Sequence, residues 1–596
     1  MSVSDNLAAL RAAMKDADID YYVVGSSDYH DSEYVGAYFR AREFLSGFTG
    51  SNGTLLVSAT EAWLWTDGRY FLQAEEELKG SGIQLMKAGR PGVPKLYEHL
   101  GSIIRKDETL GLDGRHFCVT YGEQLEKTVL DVGAFMNCEA DLITGIWTDR
   151  PALSCEPVFI LDEKYTGKAS SLKLKDIRDA MLKENCSLHI LTSLDDIAWI
   201  LNLRGADVEC NPVFLSYLTV TPDSGTLYIQ ENALNASVKS YIEELGLNIR
   251  PYDSLYEDMK DKDLRGTSVM VDKDRLNFLL YKLLLDHTEL KDIPNPSQAL
   301  KACKNETERL NLRKANEIDG AAMVKFLHWL DDHVGKTDIT EISAADRLES
   351  FRREGEGYMG PSFTTISGYN AHGAIIHYEP TPDTDIPVYA KGFLLVDSGG
   401  QYLTGTTDIT RTVSLGEVTD IMRHHYTMVL RAHVNLARVR FHEGVSGSNL
   451  DILARIPFWE EGLDYEHGTG HGIGYYLNVH EGPASIHWNT VRQSTRTALA
   501  EGMVLSDEPG IYIAGEYGIR IENDLLVRKD IETEYGRFMN FEELTLCPID
   551  LRPVNFNEMT EEEIDFLDKY HSMVVERLSP YLNESDRAWL ENAVRH

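Results

Sequence analysis

The chain has 596 residues and a formal net charge of −37 at pH 7, with 43% hydrophobic and 26% charged residues. This length exceeds one hydrophobic core and predicts about three domains. The excess of acidic residues argues against nucleic acid and anionic membranes as partners. The 7 cysteines form no CxxC pair, which is typical of reduced thiols. Because no signal peptide or membrane-length apolar run is present in the sequence, we expect a cytoplasmic protein.

Residues 1–152 predict a mixed α/β domain. An amphipathic helix with Leu7, Leu10 and Met14 on one face precedes an apolar strand over Tyr21–Val24. Short strands, glycine-containing turns and helices then alternate, as in α/β domains.

A short turn in this first region carries the pair Asp67 and Arg69, on either side of Gly68. From the residues alone, this pair is best interpreted as a surface ion pair across a tight turn, because such pairs are common and contribute little to stability.

Residues 153–300 predict a second α/β domain of the same style. The junction before it contains Pro151 and Pro157, and a helix, a strand–helix pair and two strands around a Pro-Asp-Ser-Gly turn follow. No sequence repeat relates the two regions. Since no reactive side chains cluster here, we interpret this domain as a scaffold or an oligomerisation unit.

Residues 301–596 predict an α+β domain. Asn305 and Glu308 form a capping-box pattern at the start of a long helix. Its apolar positions recur at helical spacing: Leu310, Ile318, Val324, Leu327 and Leu330. A second helix follows over residues 342–355, after which strands dominate. Near the end, the acidic residues 561–563 are typical of a helix N-terminus.

Residues 393–412, FLLVDSGGQYLTGTTDITRT, contain two apolar runs that flank a turn and end in Asp397 and Asp408. A hairpin can direct one carboxylate from each arm to the same point. A lone turn aspartate is usually a turn former. Two buried like charges, however, require a cation. Three later segments add donors: His471 in HGTGHGIG, Glu508 in SDEPGIYI and Glu522 in YGIRIENDLLV.

These four carboxylates and one imidazole form a mostly hard donor set. It suits Mn(II) or a similar first-row divalent ion better than a thiolate zinc site would, and donor type leaves Co(II), Zn(II) and Fe(II) open. Because two carboxylates can bridge, we expect two ions about 3.5 to 4 Å apart, which would lower the pKa of a shared water. Arg520 lies two residues before Glu522, on the same side of a strand, and is expected to orient a carboxylate.

The donor order closely resembles that of the pita-bread metallopeptidases. The phrases that carry the resemblance are GAIIHYEP, VDSGGQY, GTTDITRT, HGTGHG, NVHEGP, DEPGIY and GIRIEN. Within this group, the whole chain resembles the long, three-domain, cytosolic form of the aminopeptidase P family. The resemblance implies two creatinase-like α/β domains before a pita-bread α+β catalytic domain, two divalent ions and a homodimer. It also implies hydrolysis of the N-terminal Xaa-Pro bond of peptides with proline at position two.

The resemblance implies a role for each site residue. Asp397 would bind one ion, His471 and Glu508 the other, and Asp408 and Glu522 both. Glu508 would carry a proton, and His377 and His480 would take part in catalysis. The substrate-binding residues would be Arg69, His377, His467, His471, His480, Glu508 and Arg520. From the residues alone, the favoured interpretation is that His377 ends a strand and His480 lies in a loop, rather than that either is catalytic.

Two alternatives remain open from the sequence. A dipeptide-only prolidase would use the same metals and the same chemistry. A non-catalytic pita-bread scaffold would be expected to have lost metal ligands, whereas all five are present here.

Overall fold

Residues 2–260, 264–490 and 493–596 are described by a computed structural model. The chain forms two compact units. The first comprises residues 1–163 and 168–298, and the second comprises residues 164–167 and 299–596. Within the described ranges, every helix is too short or too polar to cross a membrane.

The first unit begins with a six-stranded sheet flanked by helices. The strands are β1 (Tyr21–Val24), β2 (Thr54–Ser58), β3 (Ala62–Thr66), β4 (Gln84–Lys87), β5 (Thr109–Gly111) and β6 (Phe135–Asn137). The helices are α1 (Val3–Asp16), α2 (Ala41–Ser46), α3 (Phe71–Glu77), α4 (Leu96–Ile103), α5 (Val119–Asp131) and α6 (Ile143–Ile146). The strand order is β4-β3-β2-β1-β5-β6. The predicted amphipathic helix is confirmed, since Leu7, Leu10 and Met14 are buried on α1.

A second six-stranded sheet follows in the same unit. The strands of this region are β7 (Phe159–Ile160), β8 (Leu188–Leu191), β9 (Leu203–Arg204), β10 (Ser216–Val220), β11 (Gly225–Ile229), β12 (Asn248–Pro251), β13 (Ser268–Val271) and β14 (Glu289–Asp292). The helices of this region are α7 (Glu163–Thr166), α8 (Ser170–Lys183), α9 (Leu194–Leu201), α10 (Ala236–Glu244), α11 (Ser254–Asp258), α12 (Phe278–Leu285) and α13 (Pro296–Ala302). Residues 164–166 of α7 and 299–302 of α13 belong to the second unit. Strands β7 and β9 pair separately.

The two six-stranded sheets have the same topology. The second has the order β12-β11-β10-β8-β13-β14. In both sheets the third strand of the order, β2 in the first and β10 in the second, pairs antiparallel with both of its neighbours, and all other pairs are parallel. The similarity of style predicted from the sequence is therefore confirmed at the level of strand order and direction.

The second unit contains longer helices and antiparallel strands. The helices are α14 (Glu306–His333), α15 (Glu341–Arg352), α16 (Asp420–Ala437), α17 (Gly447–Trp459), α18 (Glu561–Leu578) and α19 (Glu584–Ala593). The strands are β15 (Tyr358–Pro361), β16 (Ile366–Tyr369), β17 (Phe393–Ser398), β18 (Gly400–Tyr402), β19 (Gly405–Thr406), β20 (Ile409–Ser414), β21 (Phe441–His442), β22 (Gly470–Gly472), β23 (Glu481–Ile486), β24 (Val504–Asp507), β25 (Gly510–Ile513), β26 (Tyr517–Arg520), β27 (Asn523–Thr533) and β28 (Gly536–Glu543). The predicted α+β class is confirmed.

These strands form four sheets. Two are three-stranded, with orders β15-β18-β19 and β16-β17-β20, and one is six-stranded, with order β21-β28-β27-β24-β22-β23. The fourth is the pair β25-β26.

Helix α14 begins as the sequence predicts, with a reciprocal capping box between Asn305 and Glu308. Most of the predicted apolar face is buried. The prediction for Leu310 is wrong, because this residue is 56% exposed. The buried face runs through Glu308 and Leu312, and Leu310 lies two residues, or about 200° of helix rotation, from Glu308.

One face of the sheet β16-β17-β20 packs on helices, and this fixes where its other face points. Leu394, Val396, Ile409 and Val413 belong to a core cluster that also contains buried residues of α14 and α15. Because side chains alternate along a strand, Asp397 points to the opposite face. Asp408, which directly precedes Ile409, follows the same alternation.

Candidate metal centre

Strands β17 and β20 place the first two predicted donors. They pair antiparallel, with Asp397 opposite Thr410. The predicted pairing of two acid-bearing arms is thus present, but the connection is more than a turn. It contains β18 and β19, which belong to the separate sheet β15-β18-β19.

His471 and Glu508 come from neighbouring strands of the six-stranded sheet. His471 lies on β22, and Glu508 directly follows β24. A Cβ atom at Gly470 would lie 1.9 Å from the carbonyl oxygen of Ser506, so only glycine allows these backbones to approach. The Ser506 hydroxyl accepts from the His471 amide at 3.0 Å and donates to Glu508 Oε1 at 3.3 Å. It therefore ties the two donors together.

Glu522 lies between β26 and β27 and contacts β20. Its amide donates to the Thr410 carbonyl at 3.1 Å. The Thr410 hydroxyl in turn donates to Glu522 Oε2 at 2.5 Å. These two bonds hold the carboxylate over the strand that follows Asp408.

Together these elements bring the predicted donors to one place. Asp408, His471 and Glu522 each offer a ligand atom, and these atoms lie within 4.8 Å of one another. His471 Nε2 is 3.5 Å from both Asp408 Oδ2 and Glu508 Oε1. The carboxylate of Asp397 is bound by Arg520, whose Nη2 donates to its Oδ2 at 2.5 Å.

The electrostatics of these acids are those of a crowded, buried cluster. Burial, followed by the charges of Glu522 and Asp397, raises the pKa of Asp408 well above its ordinary value. Burial and the neighbouring acids act in the same way on the pKa of Glu522. Burial raises the pKa of Glu508 to about 7, although Arg520 opposes the change.

The residues present fit a pair of divalent cations. Oδ1 of Asp397 and Oδ1 of Asp408 are buried and have no hydrogen-bond partner among the described residues. A buried carboxylate oxygen without a partner is costly unless a cation neutralises it. Four carboxylates and one imidazole also match the hard oxygen-rich donor set of first-row divalent ions.

Arg520 links the acids to His467. Besides Asp397, it donates from Nη1 to the Tyr512 hydroxyl at 2.7 Å and from Nε to the Thr410 hydroxyl at 3.1 Å. The Tyr512 hydroxyl lies 2.8 Å from His467 Nε2. Burial and the charge of Arg520 hold the pKa of His467 well below its ordinary value. Arg520 thus contacts a carboxylate, and its expected role in orienting that carboxylate stays a prediction.

His480 lies against the donor His471, and the next residue, Glu481, is bound by two lysines. The two imidazole rings are 4.2 Å apart and nearly perpendicular. Lys304 Nζ donates to Glu481 Oε1 at 2.6 Å, and Lys301 Nζ is 3.3 Å from Oε2. Burial alone would raise the pKa of Glu481, but the two ammonium groups hold it below its ordinary value.

Two predicted residues remain, His377 in the second unit and Arg69 in the first. His377 follows Ile376, whose carbonyl is 3.5 Å from Arg520 Nη2. Arg69 belongs to the first unit, where it donates to both oxygens of Asp67 and lies 3.6 Å from Glu33. The turn pair inferred from the sequence is present, and the role of Arg69 in substrate binding stays a prediction.

Sequence reasoning missed several residues that hold the donors. Thr410 lies two residues after Asp408, and Asp524 lies two residues after Glu522, so strand alternation could have placed both beside the acids. Asp524 accepts from the Asp408 amide at 3.1 Å. No local pattern pointed to Tyr512 or Lys304, because their partners are distant in the chain.

This fold and this cluster define a metal-dependent peptidase of the pita-bread class. The model of metallopeptidase family M24 matches residues 311–529, and that of the C-terminal region of this peptidase matches residues 537–596. Two models of the creatinase/prolidase N-terminal domain match residues 6–144 and 149–308.

Relatives match over the whole chain. "Xaa-Pro aminopeptidase 1" of Dictyostelium discoideum is 38% identical over 614 residues, covering 100% of this chain and 97% of the relative. "Aminopeptidase P2" of Arabidopsis thaliana is 38% identical over 100% of this chain and 88% of its own length. The chain belongs to the Xaa-Pro aminopeptidase family of M24 metallopeptidases, and the predicted resemblance is confirmed.

Solved structures separate the long form from shorter relatives. The X-prolyl aminopeptidase of Caenorhabditis elegans, described as a cytosolic enzyme with a dinuclear active site, is 33% identical, with a TM-score of 0.95 and 100% of both chains covered. The Xaa-Pro dipeptidase of Bacillus anthracis is 24% identical, with a TM-score of 0.50 over 64% of this chain, and shows likeness of fold only.

Proposed function

We propose that this chain is a metallo-aminopeptidase that hydrolyses the N-terminal Xaa-Pro bond of peptides with proline at position two. The observation that carries the proposal is the cluster of Asp408, His471 and Glu522, whose ligand atoms lie within 4.8 Å of one another. Full-length relatives that bear this activity in their names support the substrate class. The prolidase alternative is not favoured, because its structural likeness is limited to the fold over 64% of this chain.

Five residues would hold two divalent ions. Asp397 would bind one ion, His471 and Glu508 the other, and Asp408 and Glu522 both. When bound, the pair of ions supplies Lewis acidity and a hydroxide nucleophile near neutral pH. We propose Mn(II) as the native metal, since the donor set is mostly carboxylate.

The side chains around the ions would handle the proton and the substrate. Glu508 lies 3.5 Å from His471 Nε2 and would accept the proton that the attacking water loses and deliver it to the departing proline nitrogen. Proline needs this proton because its nitrogen leaves as a secondary amine. His377, His467 and His480 would bind the substrate backbone, and His377 and His480 would also stabilise the developing oxyanion.

Arg520 would keep Asp397 and His467 in their orientations, since its guanidinium reaches the first directly and the second through Tyr512. Arg69 would contribute to substrate binding from the first unit.

Proline specificity has a physical basis in the scissile bond. An Xaa-Pro amide has no N–H and its φ angle is fixed by the ring, so a site that requires no donor at that position favours proline. We expect cleavage of the trans isomer only, because the cis isomer turns the chain away from the nucleophile.

The wider organisation is also proposed. We propose three domains over residues 1–152, 153–300 and 301–596, which the matches to two N-terminal domain models and one peptidase model support. We further propose a cytoplasmic homodimer. The cytosolic location given for the enzyme of Caenorhabditis elegans supports the compartment.

A peptide panel tests the proposal. Metal-stripped protein is reloaded separately with Mn(II), Co(II) and Zn(II), and hydrolysis of Arg-Pro-Pro, Arg-Ala-Pro and the dipeptide Arg-Pro is followed by chromatography. We expect release of arginine from Arg-Pro-Pro, little from Arg-Ala-Pro, and the highest rate with Mn(II). Turnover confined to the dipeptide would identify a prolidase instead, and a stripped protein that takes up no metal would identify a scaffold.

A further inference from the structure

Glu522 lies at a break between two sheets. Strand β26 pairs with β25, whereas β27 pairs with β24 and β28, and Glu522 belongs to neither strand. Within the described part of the chain, its carbonyl therefore has no partner in a strand ladder. Instead it accepts a hydrogen bond of 2.7 Å from Nη1 of Arg411. The backbone position of this proposed bridging ligand thus depends on a side chain.

The side chain of Arg411 lies on the face of β20 that is turned away from the donors. Arg411 is on β20 between Thr410 and Thr412, so its side chain leaves the face of the strand opposite to theirs. The side chain is buried, and the residue is only 1% exposed. Besides the Glu522 carbonyl, the guanidinium donates to the Thr410 carbonyl at 2.9 Å and to Asn523 Oδ1 at 2.8 Å. Both of these acceptors adjoin the metal centre.

The other acceptors of Arg411 come from the C-terminal region, residues 537–596, as the family model delimits it. The Pro548 carbonyl accepts at 3.2 Å, the Cys547 carbonyl at 2.9 Å and the Tyr570 hydroxyl at 3.0 Å. Tyr570, on α18, also donates to the Cys547 carbonyl at 2.8 Å. Helix α18 and the segment after β28 therefore both bind the guanidinium of Arg411.

A guanidinium is suited to this position and an ammonium is not. The six acceptors are neutral and lie on two sides of the group, and the planar fork of arginine can reach both sides at once, whereas a lysine places one compact charge at one point. Leaving buried acceptors without donors is costly. The carbonyl of Glu522 would then lose the one side-chain donor that it has among the described residues.

We propose that Arg411 and Tyr570 are positioning residues for Glu522, and that the C-terminal region thereby sets the affinity of the centre for divalent ions. This inference rests on the metal centre of the proposed function. It assigns to the C-terminal region a task at the active site, although no residue of that region is a proposed ligand.

Arg411→Lys tests the inference with Arg352→Lys as its matched control. Arg352 is equally buried in the same unit and pairs with Asp319, with 2.8 Å between Nε and Oδ1. Stripped proteins are titrated with Mn(II) in a calorimeter, without peptide. We expect Arg411→Lys to lower the affinity for the more weakly bound Mn(II) ion by about tenfold or more, as loss of a residue that orients a metal ligand typically does. Arg352→Lys should lower thermal stability and leave Mn(II) affinity within about twofold of wild type.

Tyr570→Phe tests the contribution of the C-terminal region separately. Its control is Tyr426→Phe, which removes a hydroxyl that is buried in the same core cluster as Tyr570 but accepts none of the hydrogen bonds of Arg411 described above. We expect Tyr570→Phe to weaken Mn(II) binding in the same direction as Arg411→Lys, and Tyr426→Phe to leave it unchanged. If Arg411→Lys does not fold, the comparison of Tyr570→Phe with Tyr426→Phe tests the inference instead.

Equal Mn(II) affinity in folded Arg411→Lys and Arg352→Lys, or in Tyr570→Phe and Tyr426→Phe, would overturn the inference. Because binding is measured without peptide, the result is independent of the substrate. A wild-type protein that binds two ions but leaves Xaa-Pro peptides intact would refute the proposed function, and the variants would still decide the role of Arg411.

Discussion

Loading the stripped protein with metal should release protons. Burial and neighbouring acids raise the pKa of Asp408 and of Glu522 well above their ordinary values, and burial raises that of Glu508 to about 7. Without metal, the carboxyl of Glu508 is therefore about half protonated at pH 7, and the raised pKa values of Asp408 and Glu522 favour their protonated forms. Since ligands must be deprotonated to bind an ion, each proton has to leave on loading.

The expected magnitude follows from these values. At pH 6, a carboxyl with a pKa of about 7, such as that of Glu508, is about nine-tenths protonated. The raised pKa values of Asp408 and Glu522 act in the same direction, so we expect release of about one proton or more per pair of ions. The apparent affinity should consequently rise with pH, by about tenfold per pH unit for each proton released.

Isothermal titration calorimetry measures the release. Mn(II) is added to stripped protein at pH 6 in two buffers that differ in ionisation enthalpy, and the difference in heat gives the number of protons. The matched control is the double variant Asp408→Ala/Glu522→Ala, which lacks both proposed bridging ligands and should show no such exchange. Release of fewer than about half a proton by wild type would refute the assignment of these acids as protonated ligands.

The same pKa changes predict how the stability of the stripped protein depends on pH. A carboxyl whose pKa is raised on folding contributes stability that is fully present below its ordinary pKa and is lost as pH rises through the raised one. For Glu508 the window runs from about 4.5 to about 7, and the difference corresponds to about 3 kcal/mol. Asp408 and Glu522 act in the same direction, so chelator should lower the melting temperature more at pH 8 than at pH 5.

Three further predictions concern single positions. Asp408→Ala and Glu522→Ala should each abolish turnover of Arg-Pro-Pro, and more than about a tenth of the wild-type rate would contradict a dinuclear centre. Arg69→Ala should raise KM with little change in kcat, so an unchanged KM would argue against a role in substrate binding. Glu481→Gln leaves two buried lysines without their carboxylate and should lower the free energy of unfolding by about 3 to 5 kcal/mol in denaturant titrations; a change below about 1 kcal/mol would show that the pair is not stabilising.

Much of the fold could be predicted because its signals are local. The capping box of α14 needs only Asn305 and Glu308, three residues apart, and α1 shows its buried face within 14 residues. The two apolar runs that end in Asp397 and Asp408 likewise predicted a pair of strands, and β17 and β20 pair antiparallel. The prediction that Leu310 is buried was wrong, because a helical pattern indicates only the spacing of apolar residues, whereas the position of the buried face depends on what packs against the helix.

The supports of the site could not be predicted, because their partners are far apart in the chain. Arg411 and Tyr570 are separated by 159 residues, and Lys304 and Glu481 by 177. The short strands β18 and β19 were also missed, since they are only 3 and 2 residues long. At that length no periodicity distinguishes a strand from a turn.

The sequence by itself determined which chemical groups are available: four carboxylates and one imidazole, each at the end of an apolar run or in a glycine-rich loop. Only the tertiary structure decided how far apart their atoms lie and what charge they carry. The pKa of Glu508 is raised by burial, and that of Asp408 by burial and by Glu522, which is 114 positions away in the chain. Desolvation and like-charge repulsion depend on the packing around a group, and no local pattern of residues records that packing.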